Sequence, residues 1–176
     1  MVWRLLRAVV ILPGSAFVVP ALILTATSVT GIADDWIGAG APAFWLAALF
    51  GLAGLALAAW TLRLLLAEVR TPSALMDPRG KLAIRGPYRH VRNPLICAAL
   101  LFITAETLLF DSWPLAVWLV GFYVASAIYI PRIEERGLER RFGAAYRRYK
   151  AHVPRWFPSP LAYDPAAEQR LSERGT

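Results

Sequence analysis

Residues 94–130 read PLICAALLFITAETLLFDSWPLAVWLVGFYVASAIYI, and this stretch decides the fold class. It contains two apolar runs, 94–110 and 113–130, which are separated only by Asp111 and Ser112. A helix needs about 20 predominantly apolar residues to cross the ~30 Å hydrocarbon layer of a bilayer, so each run is nearly long enough. Because the connection is so short, the sequence predicts a tight helical hairpin in a membrane.

Two further apolar runs precede the hairpin, at 5–27 and 43–66. The chain of 176 residues is 57% hydrophobic, has a mean hydropathy of +0.48 and is 18% charged. Soluble domains have about 25% charged residues. The predicted fold is therefore all-α, a polytopic membrane protein with four transmembrane helices plus a C-terminal amphipathic cytosolic helix. We expect residues 1–158 to form a single membrane-embedded domain, followed by a flexible tail over 159–176.

The basic residues predict the orientation of these spans. Of the 19 Lys and Arg residues, two lie near the N-terminus, seven lie within 63–92 and ten lie within 132–176. The connections 30–42 and 111–112 contain none, so the positive-inside rule places both termini and the middle loop in the cytosol. We expect an inner or plasma membrane. The formal charge of +7 favours contact with anionic lipids, and no nucleic-acid partner is expected.

The N-terminal segment could also be a cleaved signal peptide, because small residues near Ile32 and Ala33 follow its basic start and apolar run. Its apolar run is longer than the about 7–15 residues of a signal core, which favours a transmembrane span. The single cysteine, Cys97, cannot form an internal disulfide and is interpreted as a buried packing residue. No Cys/His cluster has the spacing of metal ligands, so no metal is expected.

Two polar clusters flank the hairpin on its predicted cytosolic side. The first is GPYRHVRNP at 86–94, and the second begins with Glu134 and Glu135. The 100° helical repeat places Glu135 on one face together with Leu138, Phe142, Tyr146 and Tyr149. Each cluster alone could be a basic turn that caps a helix, or a set of ion pairs on neighbouring turns. Since a short hairpin joins them, we expect the two clusters to meet and form one binding site.

The order of these motifs resembles a known family. Gly-Pro-Tyr-Arg-x-Val-Arg-x-Pro, an apolar hairpin, Glu-Glu, Phe-Gly-x-x-Tyr-x-x-Tyr and Val-Pro-Arg-Trp are similar to the C-terminal half of the integral-membrane methyltransferases. That group contains isoprenylcysteine carboxyl methyltransferases and phospholipid N-methyltransferases. The resemblance covers residues 80–158 and implies S-adenosylmethionine as cofactor, bound between the last two membrane helices and the C-terminal helix. It also implies a lipophilic methyl acceptor that enters from the bilayer, such as a phospholipid amine, an isoprenylcysteine-like carboxylate or another small hydrophobic molecule.

The resemblance and the chemistry of the cofactor together indicate the site residues. The amino group, carboxylate and sulfonium of S-adenosylmethionine require carboxylates, cations and aromatic faces. The predicted cofactor-binding residues are Tyr88, His90, Arg92, Asn93, Pro94, Glu134, Glu135 and Tyr146. We expect Glu135 to bind the amino group, with Glu134 as the second choice. Arg132 matches an arginine near the acceptor in the carboxyl methyltransferases, so we expect it to hold an acceptor carboxylate or phosphate.

Two positions depart from the family's Arg-His-Pro-x-Tyr pattern, because Asn93 stands in place of the histidine and Ile96 in place of the tyrosine. An amide can hydrogen-bond but cannot act as a base near neutral pH, so the acceptor is left open. Methyl transfer itself needs mainly alignment and desolvation. Glu106 lies inside the third run and is, with Arg132, a catalytic candidate; its simpler interpretation is an acid paired with Trp or Tyr donors.

Two other functions are compatible with parts of this pattern. The first is a helical membrane scaffold or transporter subunit whose basic loops bind anionic lipid, which would need the basic residues but not their order. The second is a membrane reductase related to sterol reductases. The chain has no glycine-rich dinucleotide fingerprint, which places the reductase third.

Overall fold

The computed structural model describes residues 14–30, 36–70 and 84–165, with only the backbone for 68–70. Every regular element in these ranges is helical, as predicted. The helices are α1 (Val19–Thr30, preceded by a π-helical turn, Gly14–Val18), α2 (Pro42–Arg70), α3 (Pro94–Leu109), α4 (Trp113–Tyr129), α5 (Glu135–Phe142) and α6 (Ala144–His152). A 3₁₀ turn, Gly86–Arg89, precedes α3, and a π-helical turn, Ile130–Glu134, joins α4 to α5.

Two helical stretches are long and apolar enough to cross a membrane, namely Pro42–Ala67 and Trp113–Phe142. The helices Gly14–Thr30 and Pro94–Leu109 are apolar but shorter. The ends of α3 and α4 agree with the predicted hairpin. Residues 5–13 of the first predicted run lie outside the described residues, and so does nearly all of the predicted middle loop. The count of four spans therefore stays a prediction.

The described residues divide into two compact units. The single membrane-embedded domain over 1–158 stays a prediction. The first unit lies within Met1–Ala59 and Leu95–Ile130, and the second within Trp60–Pro94 and Pro131–Thr176.

The core of the first unit is built mostly from small side chains, with one larger aliphatic and one aromatic residue, namely Ala16, Ala58, Ala98, Ala99, Ile103 and Phe122. Gly54 lets two helices approach closely, since a Cβ built on it would lie 3.2 Å from the Ala98 carbonyl oxygen and 3.2 Å from Leu101 Cβ. A Cβ on Gly51 would lie 3.7 Å from Ala105 Cβ. The small residues of α2 therefore serve close helix packing.

Large apolar side chains cover the outside of the same unit. Exposed residues on α2 include Leu49, Leu52 and Leu55, and exposed residues on α4 include Val117 and Val120. Soluble proteins rarely expose contiguous apolar surface of this kind, whereas a helix that is apolar all round suits a bilayer. These helices have the surface of membrane helices.

In the second unit the predicted C-terminal helix is two helices, because the chain breaks at Gly143. Gly143 has a φ of +53°, in the left-handed region of backbone conformation that residues other than glycine rarely adopt. Its N–H donates to the Glu139 carbonyl at 2.8 Å, and its own carbonyl accepts from Arg147 N at 3.2 Å, so α6 restarts directly. The predicted inward face persists across the break, with Glu135, Tyr146 and Tyr149 all buried.

Candidate functional site

The first part of the site is the turn that begins at Gly86, which has φ +53. A Cβ on this glycine would lie 3.4 Å from both Leu64 Cδ2 and Trp60 Nε1, which is close to ordinary contact, so the positive φ is what favours glycine here. Pro87 is buried, and its carbonyl accepts from His90 N and Val91 N, each at 3.0 Å. The motif thus forms a compact turn that leads to Arg92 and Asn93.

The C-terminal segment holds this turn in place. Arg92 N donates to the Pro154 carbonyl at 2.9 Å, and Ser159 N donates to the His90 carbonyl at 2.9 Å. Tyr163 N donates to the Arg89 carbonyl at 2.9 Å, while Arg89 Nε donates back to the Tyr163 carbonyl at 2.7 Å. His90 Nδ1 also lies 2.8 Å from the Ser159 carbonyl oxygen.

These contacts change the predicted start of the tail. Ser159 and Tyr163 fall within the segment predicted to be a flexible tail, yet their backbones are hydrogen-bonded to the site. Tyr163 also stacks on His152, with ring centroids 5.4 Å apart. Ser159 and Tyr163 are therefore attached to the site, and the part of the predicted tail after residue 165 lies outside the described residues.

A buried ionic cluster, consisting of Glu135, Arg92 and Arg155, lies at the centre of this unit. Arg92 Nη1 donates to Glu135 Oε1 at 2.7 Å. Arg155 binds the same carboxylate with two donors, Nε to Oε1 at 2.9 Å and Nη2 to Oε2 at 2.9 Å. Glu135 is only 3% exposed. One carboxylate and two guanidinium groups give the cluster a formal charge of +1, so it favours an anionic group.

Two tyrosines border the cluster. Tyr146 is 2% exposed and shares a hydrogen bond with the Arg92 side chain. Burial first, and the charge of Glu135 second, raise the pKa of Tyr146 to about 12. Tyr149 donates its hydroxyl to the Tyr88 carbonyl at 2.8 Å, and burial raises the pKa of Tyr149 as well. Both phenols therefore stay neutral at physiological pH.

Two buried donors in the site have no hydrogen-bond partner among the described residues. They are Arg92 Nε and Asn93 Nδ2, on adjacent residues. An unsatisfied buried donor costs about 1–3 kcal/mol, so native structures keep such groups rarely and for a reason. A ligand with acceptor oxygens or nitrogens would satisfy both.

The second unit brings together all the predicted cofactor-binding residues, which are Tyr88, His90, Arg92, Asn93, Pro94, Glu134, Glu135 and Tyr146. Arg132 belongs to the same unit and is exposed on the π-helical turn. Glu106 lies in α3, in the first unit, and its Oε2 is buried without a partner among the described residues. Its predicted catalytic role stays a prediction.

Sequence reasoning missed Arg155 as a site residue. It belongs to the Val-Pro-Arg-Trp motif, which contributes to the family resemblance but supplied no residue to the predicted site. The inward phase of Glu135 indicates a buried carboxylate, and a buried charge needs cationic partners, but this signal does not specify which arginine supplies them. The contacts of Ser159 and Tyr163 had no such signal, because they are made mostly by backbone atoms.

Comparison with known proteins identifies the family. The family model for phospholipid methyltransferases matches residues 42–145, which is more than half of the chain. The chain therefore belongs to the phospholipid methyltransferase family, as the sequence motifs predict. Searches of curated proteins and of solved structures gave no significant match.

The matched residues include most of the site. Arg92, Asn93, Glu134 and Glu135 lie inside the match, while Tyr146 and Arg155 follow its end. Membership implies a methyltransferase that acts on a lipid, and together with the two apolar spans it indicates a membrane protein.

Proposed function

We propose that this protein transfers a methyl group from S-adenosylmethionine to a lipophilic acceptor at the cytosolic interface of the membrane. The observation that carries this proposal is the pair of buried, unpartnered donors, Arg92 Nε and Asn93 Nδ2, inside the segment matched by the family model. When bound, S-adenosylmethionine supplies an electrophilic methyl group whose C–S bonding electrons leave with the sulfur as a neutral thioether.

The residues present fit this cofactor. Its carboxylate and the ring nitrogens of its adenine are acceptors that could take the free hydrogens of Arg92 and Asn93, and the +1 charge of the ionic cluster favours the carboxylate. Aromatic faces suit a sulfonium, and the unit contains a group of them: Tyr146 and Tyr149 have ring centroids 5.9 Å apart, and Tyr149 and Tyr163 6.0 Å apart.

The contacts of Glu135 change its proposed role. The sequence predicts that Glu135 binds the amino group of the cofactor, but its two oxygens already accept three hydrogen bonds from two arginines. We therefore assign Glu135 to holding the arginines, and its neighbour Glu134, which is half-buried, to the amino group.

The acceptor enters from the bilayer in this proposal. Asn93 has no basic group, so an acceptor that arrives with its lone pair free, or loses its proton to water, suits the site best. Arg132 is exposed at the end of the apolar run 113–130 and is proposed to bind an anionic head group. Turnover then requires the lone pair of the acceptor to align with the methyl carbon, away from water.

The site is proposed to lie on the cytosolic side of a four-span protein. The stretch Trp113–Phe142 has 30 residues, which is longer than the about 20 needed to cross the hydrocarbon layer. Its apolar part comes first and its charged part last, so the charged end extends into the head-group region. The positive-inside rule supports the cytosol as the side.

A methyl-transfer assay tests the proposal. Detergent-purified protein is incubated with S-adenosylmethionine labelled in its methyl group and with vesicles of a primary-amine phospholipid, and label in extracted lipid is counted. Vesicles whose head groups already carry a quaternary amine are the control. Label in neither lipid, nor in a crude lipid extract, would contradict the proposed activity and favour the scaffold or transporter subunit; reduction of a sterol by a nicotinamide cofactor would favour the reductase.

The role of Arg132 has a separate test. Arg132→Ala should raise the Michaelis constant for the lipid acceptor or lower turnover, while affinity for the donor stays within a few-fold. Arg140→Ala, which also removes an exposed arginine, is the control. Equal kinetics in both variants would mean that Arg132 only contacts the interface, and a large loss of donor affinity would assign it to the cofactor instead.

A further inference from the structure

Arg155 contacts the site in a way that differs from Arg92. Arg155 uses the side edge of its guanidinium, Nε and Nη2, to bind both oxygens of Glu135. Arg92 contacts Glu135 through Nη1 alone, and its own Nε has no partner among the described residues. One arginine therefore holds the carboxylate, and the other keeps a donor for a ligand.

The two-point contact fixes the plane of the Glu135 carboxylate. A carboxylate held at one oxygen can rotate about its terminal bond, whereas a bidentate arginine fixes both oxygens in the plane of the guanidinium. Glu135 Oε1 accepts from Arg92 and Arg155 together, so the position of Arg155 determines where Arg92 Nη1 can bind. Since the guanidinium of Arg92 is rigid, fixing Nη1 also limits the direction of its Nε.

The backbone beside Arg155 holds the same partner. The Pro154 carbonyl accepts from Arg92 N at 2.9 Å, and the neighbouring Val153 is 2% exposed. Pro154 therefore contacts Arg92 directly through its carbonyl, and Arg155 contacts it indirectly through Glu135. This is a local arrangement in which a residue outside the family match supports one inside it.

We infer that Arg155 is a positioning residue for the cofactor site: it orients Arg92 through Glu135 so that Arg92 Nε faces the donor, and it supplies the charge that leaves the cluster at +1. This inference rests on the proposed function. Arg155 acts through Arg92 and has no direct contact with the donor in this account.

The test measures S-adenosylhomocysteine binding by calorimetry on detergent-purified protein, in the wild type, Arg155→Ala, Arg155→Lys and the control Arg140→Ala. Arg155→Ala should weaken binding by about tenfold to a hundredfold, the range for losing the orientation of one charge-assisted hydrogen bond. Arg155→Lys keeps the positive charge but loses the planar guanidinium that binds both oxygens of Glu135. Its affinity for S-adenosylhomocysteine should therefore lie between those of the wild type and Arg155→Ala. Arg140→Ala should bind like the wild type.

A double-variant cycle separates positioning from general damage. If Arg155 acts through Arg92, then Arg155→Ala should have little further effect on binding in the Arg92→Lys background, whereas it should add in full to Asn93→Ala. Additive effects with both partners, or Arg155→Ala affinity within about twofold of the wild type, would overturn the inference. If Arg155→Ala does not fold, the Arg155→Lys pair gives the same cycle. Failure of the wild type to bind would count against the proposed function instead, so the two failures are distinguishable.

Discussion

The two units of this chain bury different kinds of side chain. The first buries Ala58, Ala98 and Ile103 with close helix contact at Gly54, and covers its outside with leucine and valine. The second buries a carboxylate that is bound by two arginines, and two neutral phenols. The first unit therefore depends on shape and the second on pairing of charges and hydrogen bonds, and substitutions should affect the two units in different ways.

The largest effect is expected at Glu135. Glu135→Ala leaves Arg92 and Arg155 without their shared carboxylate, and loss of one partner from a buried ionic cluster costs about 3–5 kcal/mol. Glu139→Ala is the matched control, because Glu139 is 33% exposed and forms long ion pairs with Arg147 and Lys150 at 4.0 and 3.6 Å; exposed pairs contribute about 0–1 kcal/mol. Thermal unfolding in detergent measures both, and equal effects would contradict the distinction between the units.

A packing substitution should have the next largest effect. In Gly54→Val, the added Cβ alone would lie 3.2 Å from Ala98 O and 3.2 Å from Leu101 Cβ, and the two methyl groups need further space. Such overpacking lowers the free energy of unfolding by about 1–3 kcal/mol. Gly121→Val is the control, since no neighbouring atom lies within 4 Å of a Cβ there. Unfolding temperature should fall in the first variant and change little in the second. A similar fall in both would mean that close helix approach does not stabilise this unit.

The helical hairpin of the first unit was predictable because hydropathy is a local pattern. The hairpin 94–130 and the helical class both follow from the apolar runs and the short connection between them. The second unit was predicted as a set of residues but not as a set of contacts. The break at Gly143 changes the backbone conformation of one residue and does not turn Tyr146 away from the buried face. The 100° helical repeat therefore predicted the burial of Tyr146 correctly, although the helix is broken.

The contacts that the sequence could not predict have specific causes. The pairing of Arg155 with Glu135 joins residues 20 positions apart across two helices and a turn. The attachment of Ser159 and Tyr163 depends on backbone atoms, which have no residue-type signature. The role proposed for Glu135 follows from its contact with that second arginine.

A smaller effect on stability, but a clear effect on binding, is expected at Asn93. Asn93→Leu removes Nδ2, which has no partner among the described residues, so the protein should be as stable as the wild type or slightly more stable. Affinity for S-adenosylhomocysteine should fall by about tenfold, the equivalent of one hydrogen bond. Calorimetry and thermal unfolding on the same sample measure both. A loss of stability with unchanged affinity would mean that Asn93 serves the fold.

The titration of Tyr146 contributes nothing at neutral pH, because its phenol is neutral there, and its effect on stability appears only at alkaline pH. The pKa of Tyr146 is raised to about 12 in the folded protein, while an unfolded tyrosine has a pKa of about 10. The folded state therefore favours the neutral phenol, and this contribution to stability is complete below pH ~10 and is lost as the pH rises toward 12. Unfolding followed between pH 8 and 12 should show a smaller alkaline loss in Tyr146→Phe; an identical loss would place the titration elsewhere.

The most direct test of the central claim, that the polar unit is a donor-binding site, is equilibrium binding of S-adenosylhomocysteine to the wild-type protein in detergent. We predict saturable binding of one ligand per chain, with wild-type affinity kept in Glu139→Ala and reduced in Asn93→Leu. Absence of binding to wild-type protein that unfolds cooperatively on heating, and is therefore folded, would contradict the account.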